Sequence, residues 1–471
     1  MSAPLESIGH LLVTPENPPR DIDGMDHERC AALHNAIFQH GWVSSGRDVD
    51  DFVSQSRPWL DFNPQAGQYG LHHSVLAFLR DARALPLNHQ VHFFYNVWGL
   101  NCALGGQCHE YCFPESDQTL TLYGTYPELA SIPDGLIYDQ STHKAIMHFD
   151  VTDELTPEQP WQKLESILTV WIEMIRRQKV VALPANVGTT SHENAAGGGV
   201  RVIEGPKWDP ATGAKRLDPA MEPWTMVPWA KKDLEESLEV WGMAVDSIEQ
   251  KMGLGRAARS DSLLDVVTVN AAHIPDGFAR EFLTKARRPR FEFIAPGLQV
   301  PTAGDFIGQP FIDGSHGSED EDKLPAILLF RNDSTVSTNG LFWFGFPPDT
   351  PTAQCPCGLY LNPCERSYRY PQEDGCTLIL PFEFTSGRAR QSDFTAVDHC
   401  DKLLQAGVNP YNDVHPTQLQ AFLETVYLNV ERGHWAVDEH GVAGGIDVWK
   451  DADTEQSWSN YFVPLGPGRY W

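Results

Sequence analysis

Two carboxylates on one predicted helix could hold a cation or a guanidinium group. Asp246 and Glu249 lie three residues apart in segment 229–252, whose apolar spacing predicts a long helix. Residues at this spacing share one face of a helix. Such a pair can bind Mg²⁺, or it can accept paired hydrogen bonds from an arginine. The alternative interpretation is an ordinary solvated helix face.

A second acidic pair flanks a predicted β-hairpin. Asp134 stands in Pro-Asp-Gly at the start of strand 132–139, and Asp150 stands in His-Phe-Asp-Val-Thr at the end of strand 145–151. Carboxylates on adjacent strands suit Mg²⁺, which keeps water or a substrate phosphate at its remaining positions. The alternative is that Asp134 is a turn residue and Asp150 a cap.

The densest basic run of the chain, 280–290, is a candidate for substrate binding through RNA phosphates. Its cations are Arg280, Lys285, Arg287, Arg288 and Arg290, against a single acidic residue. The alternative is an internal partner for the acidic loop 319–322, and we slightly favour it.

Other combinations of residues indicate chemistry less clearly. Cysteines cluster at 102–112, together with His109, and at 355–376. These are ligand types of Zn²⁺, but the spacing is not that of paired Cys-x-x-Cys ligands, so scattered reduced thiols are expected. The pairs His72/His73 and His89/His92 also lack the grouped spacing of a copper or zinc enzyme. No phosphate-binding loop is present, so we expect no ATP site and no cofactor, with Mg²⁺ as the one exception left open.

The elements that would position these residues follow from the hydrophobic pattern. Between 74 and 184 it predicts a helix capped by Ser74 and stopped at Pro86, then a strand at 89–98. The hairpin, a helix at 160–178 and a strand at 179–183 come next. From 324 onward, short strand-like runs dominate, followed by a helix at 417–430. We therefore predict a mixed α/β N-terminal half and a β-rich α+β C-terminal part.

The αβββαβ order and the Asp134/Asp150 pair resemble the PD-(D/E)xK nuclease superfamily, which implies a restriction-endonuclease-like core over about a quarter of the chain. In that superfamily a lysine two residues after the second acid orients the attacking water. Thr152 occupies the position here, and Lys163 on the following helix is the candidate replacement. The substitution favours a core that survives without nuclease chemistry.

Composition bounds the class of protein. Hydrophobic residues make up 41% of the 471 residues, enough for a sizeable core. The net charge of −28 repels nucleic acid and anionic membranes, so no DNA or membrane partner is expected and any RNA binding has to rely on the basic run 280–290. Because the chain shows no signal peptide and no long apolar run, we expect a cytoplasmic protein. The predicted organisation is a loosely ordered arm (1–24), a core (25–255) with an inserted flexible loop (185–222), and a C-terminal part (256–471).

Several stretches resemble a group of fungal proteins. They are Ile-Tyr-Asp (137–139), Phe-Asp-Val-Thr-Asp-Glu (149–154), Lys-Val-Val-Ala (179–182), the helix segment 241–252, Phe-Thr-Ser-Gly-Arg-Ala-Arg-Gln-Ser-Asp (384–393) and Gly-Gly-Ile-Asp (444–447). We associate this group with the arginine-containing cyclodipeptide synthases of fungal secondary metabolism. The resemblance implies an aminoacyltransferase that takes arginine from arginyl-tRNA, and a second amino acid from another aminoacyl-tRNA, to form a diketopiperazine.

The synthase family is associated with a DDxxE motif. Its nearest match here is 245–249, where Val245 replaces the first aspartate. The resemblance then implies that Asp246 and Glu249 hold the side chain or the amino group of arginine. Two alternatives stay open. One is a divalent-metal nuclease using Asp134, Asp150 and Lys163, and the other is a non-catalytic binding protein on a degraded nuclease-like core.

Overall fold

A computed structural model describes most of the chain. The described residues are 5–68, 70–86, 91–100, 118–125, 135–148, 155–184, 222–255, 261–311, 325–337, 354–361, 372–412 and 416–466. They fall into two compact units. Unit 1 comprises residues 1–227 with 409–413 and 471, and unit 2 comprises 228–408 and 414–470.

Unit 1 combines helices with small sheets, and the predicted mixed α/β class is confirmed. Its helices are α1 (His27–Ser44), α2 (Val49–Gln55), α3 (Trp59–Phe62), α4 (His73–Asp81) and α5 (Leu164–Arg176). Its strands are β1 (Arg57–Pro58), β2 (Arg83–Ala84), β3 (Val97–Leu100), β4 (Thr119–Thr125), β5 (Gly135–Asp139), β6 (Lys144–His148), β7 (Val180–Ala182) and β8 (Trp224–Met226).

Unit 1 contains an antiparallel sheet of four strands in the order β3-β4-β5-β6. The predicted hairpin is confirmed as β5 and β6, whose register runs from Gly135↔His148 to Asp139↔Lys144. The predicted helix at 160–178 is confirmed as α5. Its apolar residues recur at helical spacing, and the whole set is buried: Leu164, Ile167, Leu168, Trp171 and Ile175.

Two elements next to this sheet differ from the prediction. Segment 91–98, predicted as part of one strand, contains a tight turn in which Phe94 and Val97 exchange backbone hydrogen bonds. Asn96 has a φ of 59°, a left-handed conformation that asparagine tolerates better than most residues. Strand β4 lies where a loop was expected, although its alternating Thr-Leu-Thr-Leu residues are typical of a strand.

The N-terminal segment, predicted to be a loosely ordered arm, packs onto unit 1 from Leu5 onward. Leu5, Ile8 and Leu12 are buried. The Arg29 guanidinium donates to the carbonyl oxygens of Leu11, Asn17 and Pro18, at 2.6 to 3.1 Å. The sequence did not predict this order, because Arg29 binds backbone carbonyl oxygens, which every residue type has.

Unit 1 also includes the short segment 409–413, which is remote in sequence from the rest of the unit. The Pro410 carbonyl accepts a hydrogen bond from Met147 N at 3.1 Å, next to the hairpin. The Tyr411 carbonyl accepts one from Nε1 of Trp171 at 2.7 Å. Trp171 is almost completely buried, so this carbonyl satisfies an indole donor that water cannot reach.

Unit 2 is built on a larger sheet. Its helices are α6 (Lys231–Lys251), α7 (Val266–Ala271), α8 (Phe278–Lys285), α9 (Ala303–Phe306) and α10 (Leu419–Glu431). Its strands are β9 (Phe293–Ala295), β10 (Leu298–Gln299), β11 (Ile327–Ser337), β12 (Gln354–Leu361), β13 (Gly375–Ile379), β14 (Thr417–Gln418), β15 (Val437–Asp438) and β16 (Gly441–Val442).

The strands of unit 2 follow the order β14-β13-β12-β11-β10-β9-β16-β15. The pairs are antiparallel except β16 with β9. Helices α6 and α10 lie side by side and contribute to one core with the sheet, in which Trp241 of α6 stacks on Phe330 of β11 at 5.7 Å between ring centroids. Because α6 belongs to this core, the units divide at 227/228, whereas the sequence placed the boundary at 255/256.

Some predicted segments lie outside the described residues. These are the inserted loop, apart from residue 222 at its end, and the acidic loop 319–322. Among the helices that are described, none combines the length and the apolar character needed to cross a membrane.

Candidate functional site

Helix α6 carries the acidic pair that the sequence singled out. Asp246 and Glu249 lie one turn apart on the same face, as the spacing predicts. Their environments differ strongly, because the side chain of Asp246 is 58% exposed and that of Glu249 only 4% exposed. The half-open carboxylate can exchange partners with solvent, whereas the buried one requires fixed partners.

The fixed partners of Glu249 are two arginines from the basic run. Its Oε1 accepts from Arg290 N at 3.0 Å, and its Oε2 accepts from Arg290 Nη2 at 2.9 Å and from Arg287 Nη1 at 3.2 Å. Burial raises the pKa of Glu249, but the hydrogen bonds from Arg290 and Arg287 outweigh it and hold the pKa below its usual value. Glu249 is therefore ionised, and both of its carboxylate oxygens accept hydrogen bonds from the two arginines.

Asp246 completes a guanidinium clamp. The second terminal nitrogen of Arg287, Nη2, hydrogen-bonds Oδ1 of Asp246 while Nη1 contacts Glu249. One guanidinium thus bridges both carboxylates, a geometry that uses the planar fork of arginine. The acidic pair recognises a guanidinium in this structure, and that guanidinium belongs to the same chain.

The remaining cations of the basic run are also engaged. Arg280 donates to the Ile274 carbonyl, Arg288 donates to the Leu263 carbonyl at 2.9 Å, and Lys285 lies 2.5 Å from Glu281. The expected alternative partner, loop 319–322, lies outside the described residues. Phosphate binding by Arg280, Lys285, Arg287 and Arg288 stays a prediction, but each of them already has a partner within unit 2.

The second acidic pair flanks the β5–β6 hairpin in the sequence. Asp134 and Asp150, with Thr152, lie outside the described residues, and their role stays a prediction. The described neighbours are the paired ends of the hairpin, Gly135 and His148. Lys163, the candidate replacement for the nuclease lysine, is the N-cap residue of α5.

The carboxylate of Asp453 holds the backbone of residues 385–389, in one of the stretches on which the expected resemblance rests. Oδ2 of Asp453 accepts from Thr385 N and Ser386 N, at 3.0 and 2.7 Å. Oδ1 accepts from Arg388 N and Ala389 N, at 2.7 and 2.9 Å. Burial opposes ionisation, but these bonds lower the pKa of Asp453 to about 2.

Within the described residues the cysteines behave as buried apolar side chains. Cys355, Cys357 and Cys376 are free thiols inside unit 2. Burial raises the pKa of Cys355 to about 11 and that of Cys357 to about 12, which disfavours the thiolate needed for nucleophilic attack or metal binding. The cluster at 102–112 lies outside the described residues, as does Cys364.

Unit 1 contains an apolar cavity of about 240 Å³ bordered by α1, α3, β2 and β3. His34 in its wall contacts the Tyr123 hydroxyl at 2.8 Å through Nδ1 and the Arg83 carbonyl at 2.9 Å through Nε2. Burial lowers the pKa of His34 to about 4, so its imidazole is neutral at pH 7. With its polar groups bound internally, the cavity suits an apolar group better than an arginine side chain.

Three side chains that sequence reasoning did not combine come together elsewhere in unit 1. Asp23, His72 and His143 place one potential ligand atom each within 4.8 Å of the others. They lie before α1, before α4 and in the turn of the β5–β6 hairpin. Their sequence separations match no ligand motif. The His72/His73 pair was noticed in the sequence, but it does not predict that Asp23 and His143 lie near His72.

Comparisons with known proteins identify no relative, since no family model, no curated protein and no solved structure matches this chain.

Proposed function

We propose that the chain is a tRNA-dependent cyclodipeptide synthase that condenses arginine with a second amino acid. The observation that carries the proposal is the guanidinium clamp of Asp246 and Glu249, which occurs at the sequence position nearest to the family's acidic motif. A site for an arginyl group needs carboxylates in this arrangement, because a guanidinium is best recognised through two parallel hydrogen bonds.

In the proposed complex the substrate guanidinium takes the place of Arg287 between Asp246 and Glu249. Asp246 is suited to this exchange because its side chain is half-exposed and Arg287 is its ion-pair partner. Glu249 keeps Arg290 as a partner through two hydrogen bonds, and its Oε2 offers the substrate the contact that Arg287 gives up. Releasing Arg287 frees one cation of the basic run next to the incoming aminoacyl-tRNA, where it can contact a phosphate.

The chemistry is two successive acyl transfers. The α-amine of one aminoacyl group attacks the ester carbonyl of the other, an amide forms, and the ester C–O bond breaks to release one tRNA with its ribose hydroxyl. The remaining amine then attacks the remaining ester, which closes the diketopiperazine ring and releases the second tRNA. Since both esters are already activated, the site must supply orientation, a proton acceptor and stabilisation of the oxyanion.

The finer fold belongs to the same proposal. We infer that unit 1 is a variant of the nuclease-type core, in which α4, the sheet strands, α5 and β7 follow the αβββαβ order with one extra strand. Strand β7 pairs with β8. A degraded nuclease core of this kind would suit the recognition of an RNA end, although fold alone does not determine function.

A divalent-metal nuclease is the second candidate, and one observation favours it. The pairing Gly135↔His148 brings together the two strand ends next to which Asp134 and Asp150 stand in the sequence. This reading requires Lys163 to replace Thr152 in orienting the attacking water.

Mass spectrometry of a heterologous host separates the candidates. Expression of the unmodified chain should yield a new arginine-containing diketopiperazine, and Asp246→Asn should abolish it. Glu239→Gln, an exposed carboxylate on the same helix, serves as the matched control and should leave the product unchanged. A folded, well-expressed protein that gives no product would contradict the synthase.

Mg²⁺-dependent RNA or DNA cleavage lost in Asp150→Ala would then establish the nuclease. If alanine at all four acids altered only stability, the binding protein would remain.

A further inference from the structure

The cluster of Asp23, His72 and His143 has the composition of a metal centre. One carboxylate oxygen and two imidazole nitrogens approach one another within 4.8 Å. We propose that unit 1 binds one divalent transition-metal ion of the Zn²⁺ type through these three side chains, with at least one coordination position open to solvent. The proposal is independent of the acidic pair in unit 2.

Both imidazoles are oriented through the same ring nitrogen. Nδ1 of His72 lies 2.8 Å from the Ser74 hydroxyl and accepts from Ser74 N at 3.4 Å, and Nδ1 of His143 lies 3.4 Å from the Tyr138 hydroxyl. In His143, a proton on Nδ1 that is donated to this hydroxyl places the lone pair on Nε2. Nε2 of His143 already faces Asp23, at 3.5 Å from Oδ1. Outer partners that fix the ring orientation are typical of histidines that bind metals.

The backbone around the carboxylate is also fixed. Gly24 has a φ of 104°, and a Cβ there would lie 2.6 Å from Oγ of Ser74, so only glycine fits this approach to α4. Met25 N donates to the same Oγ at 2.9 Å. The loop that carries Asp23 is therefore attached to the first turn of the helix that His72 precedes.

Hydrogen bonds also fix the hairpin turn that carries His143. His143 has a φ of 56°, an uncommon conformation for a residue with a side chain. Asp139 stabilises the turn by accepting from Ser141 N at 2.8 Å and from the Thr142 hydroxyl at 2.7 Å. The next residue, Gln140, accepts from His72 N at 2.7 Å through its side-chain oxygen. Hydrogen bonds thus join the turn directly to the segment that carries His72.

The donor set selects the class of ion. Imidazole nitrogen suits Zn²⁺, Co²⁺, Ni²⁺ and Fe²⁺, whereas Mg²⁺ and Ca²⁺ prefer oxygen ligands throughout. Three protein ligands with an open position are the pattern of catalytic zinc sites rather than of closed structural ones.

The competing explanation is a metal-free ion pair between Asp23 and a protonated His143. The side chain of Asp23 is 92% exposed, so such a pair would contribute little to stability. A pair also gives no reason for a second imidazole to face the first, with ring centroids 4.7 Å apart. The two explanations differ in whether added metal has an effect.

The test uses the untagged full-length protein, stripped with a chelator and titrated at pH 7.5 with Co²⁺ as a spectroscopic probe and Zn²⁺ in competition. His143→Asn removes one ligand while keeping a residue that tolerates positive φ, so the fold is retained. Because other thiols and imidazoles of the chain can take up metal, the readout is the difference between matched variants. The control is His73→Ala, an exposed histidine next to His72 that is not part of the cluster.

We expect the wild-type protein and His73→Ala to bind one more ion per chain than His143→Asn, or to bind the tightest ion at least about tenfold more strongly, since loss of even an outer partner commonly has that effect. Asp23→Asn should behave like His143→Asn. Zn²⁺ should raise the melting temperature of the wild type but not of His143→Asn. Equal stoichiometry and affinity in the wild type and His143→Asn would overturn the proposal.

Discussion

Replacement of Asp453 by asparagine removes the charge that binds the backbone of residues 385–389. The four backbone N–H groups that converge on this carboxylate are donors, and an amide can offer them only one oxygen. The amide nitrogen would face two donors directly. The loop should therefore lose the charge assistance of all four hydrogen bonds, and two of its N–H groups should lose their acceptor oxygen.

The size of the effect follows from the pKa of Asp453. A carboxyl group whose pKa falls from 3.8 in the unfolded chain to about 2 in the fold contributes about 2 kcal/mol to stability at neutral pH. Because the folded pKa is depressed, this contribution is complete well above pH 3.8 and is lost as the pH falls toward 2. At pH 3 about half of it should remain.

Urea denaturation of the wild type and Asp453→Asn at pH 7 and pH 3 measures this contribution, and hydrogen exchange of residues 385–389 assigns it to the loop. We expect a loss of about 2 kcal/mol at pH 7 that becomes smaller at pH 3. Asp451→Asn, an exposed neighbour, is the matched control. An equal loss in the control, or a difference that does not shrink in acid, would refute the reasoning.

Four further substitutions can be tested by denaturation. Gly358→Ala should lower the free energy of unfolding by about 3 kcal/mol or more, because its Cβ would lie 2.2 Å from the Phe330 carbonyl oxygen. Gly242→Ala lies in open space on α6 and should raise the free energy of unfolding by about 0.5–1 kcal/mol. Unchanged denaturation midpoints would contradict both predictions. Glu249→Gln should lower the free energy of unfolding by about 2 kcal/mol. The loss is smaller than for a fully buried ion pair because the side chain of Arg290 is 41% exposed. An unchanged stability would show that the ion pairs of Glu249 are dispensable. The neutral His34 should make the wild type lose stability as the pH falls from 6.5 toward 4, by up to about 1.4 kcal/mol per pH unit, and His34→Gln should have a shallower slope.

Local patterns in the sequence predicted the regular elements where burial follows a simple period. The apolar residues of α5 recur every three or four positions, and the helix forms within four residues of the expected limits at each end. The hairpin was predictable for the same reason, since two β-rich runs flank a polar turn. The turn near Asn96 was missed because aromatic residues around it have a high strand propensity while tertiary contacts favour a reversal.

The candidate sites were less predictable, because they depend on contacts between remote residues. The spacing of Asp246 and Glu249 predicted a shared helix face, but nothing local showed that Arg287, 38 residues beyond Glu249, would occupy it. The same limit applies to Asp23, His72 and His143, whose proximity results from the packing of three separate turns. A lone histidine or aspartate has no periodicity, so its partners emerge only from the fold.

The discontinuous make-up of unit 1 affects the order in which the protein can mature on the ribosome. The acceptors for Met147 N and for the Trp171 indole are carbonyls of Pro410 and Tyr411. An N-terminal domain usually folds as soon as it emerges. Here the last acceptors appear only after residues 228–408 have been translated. A fragment that ends at 227 would leave a buried indole donor without its acceptor, so the two halves of this protein should be expressed as one chain.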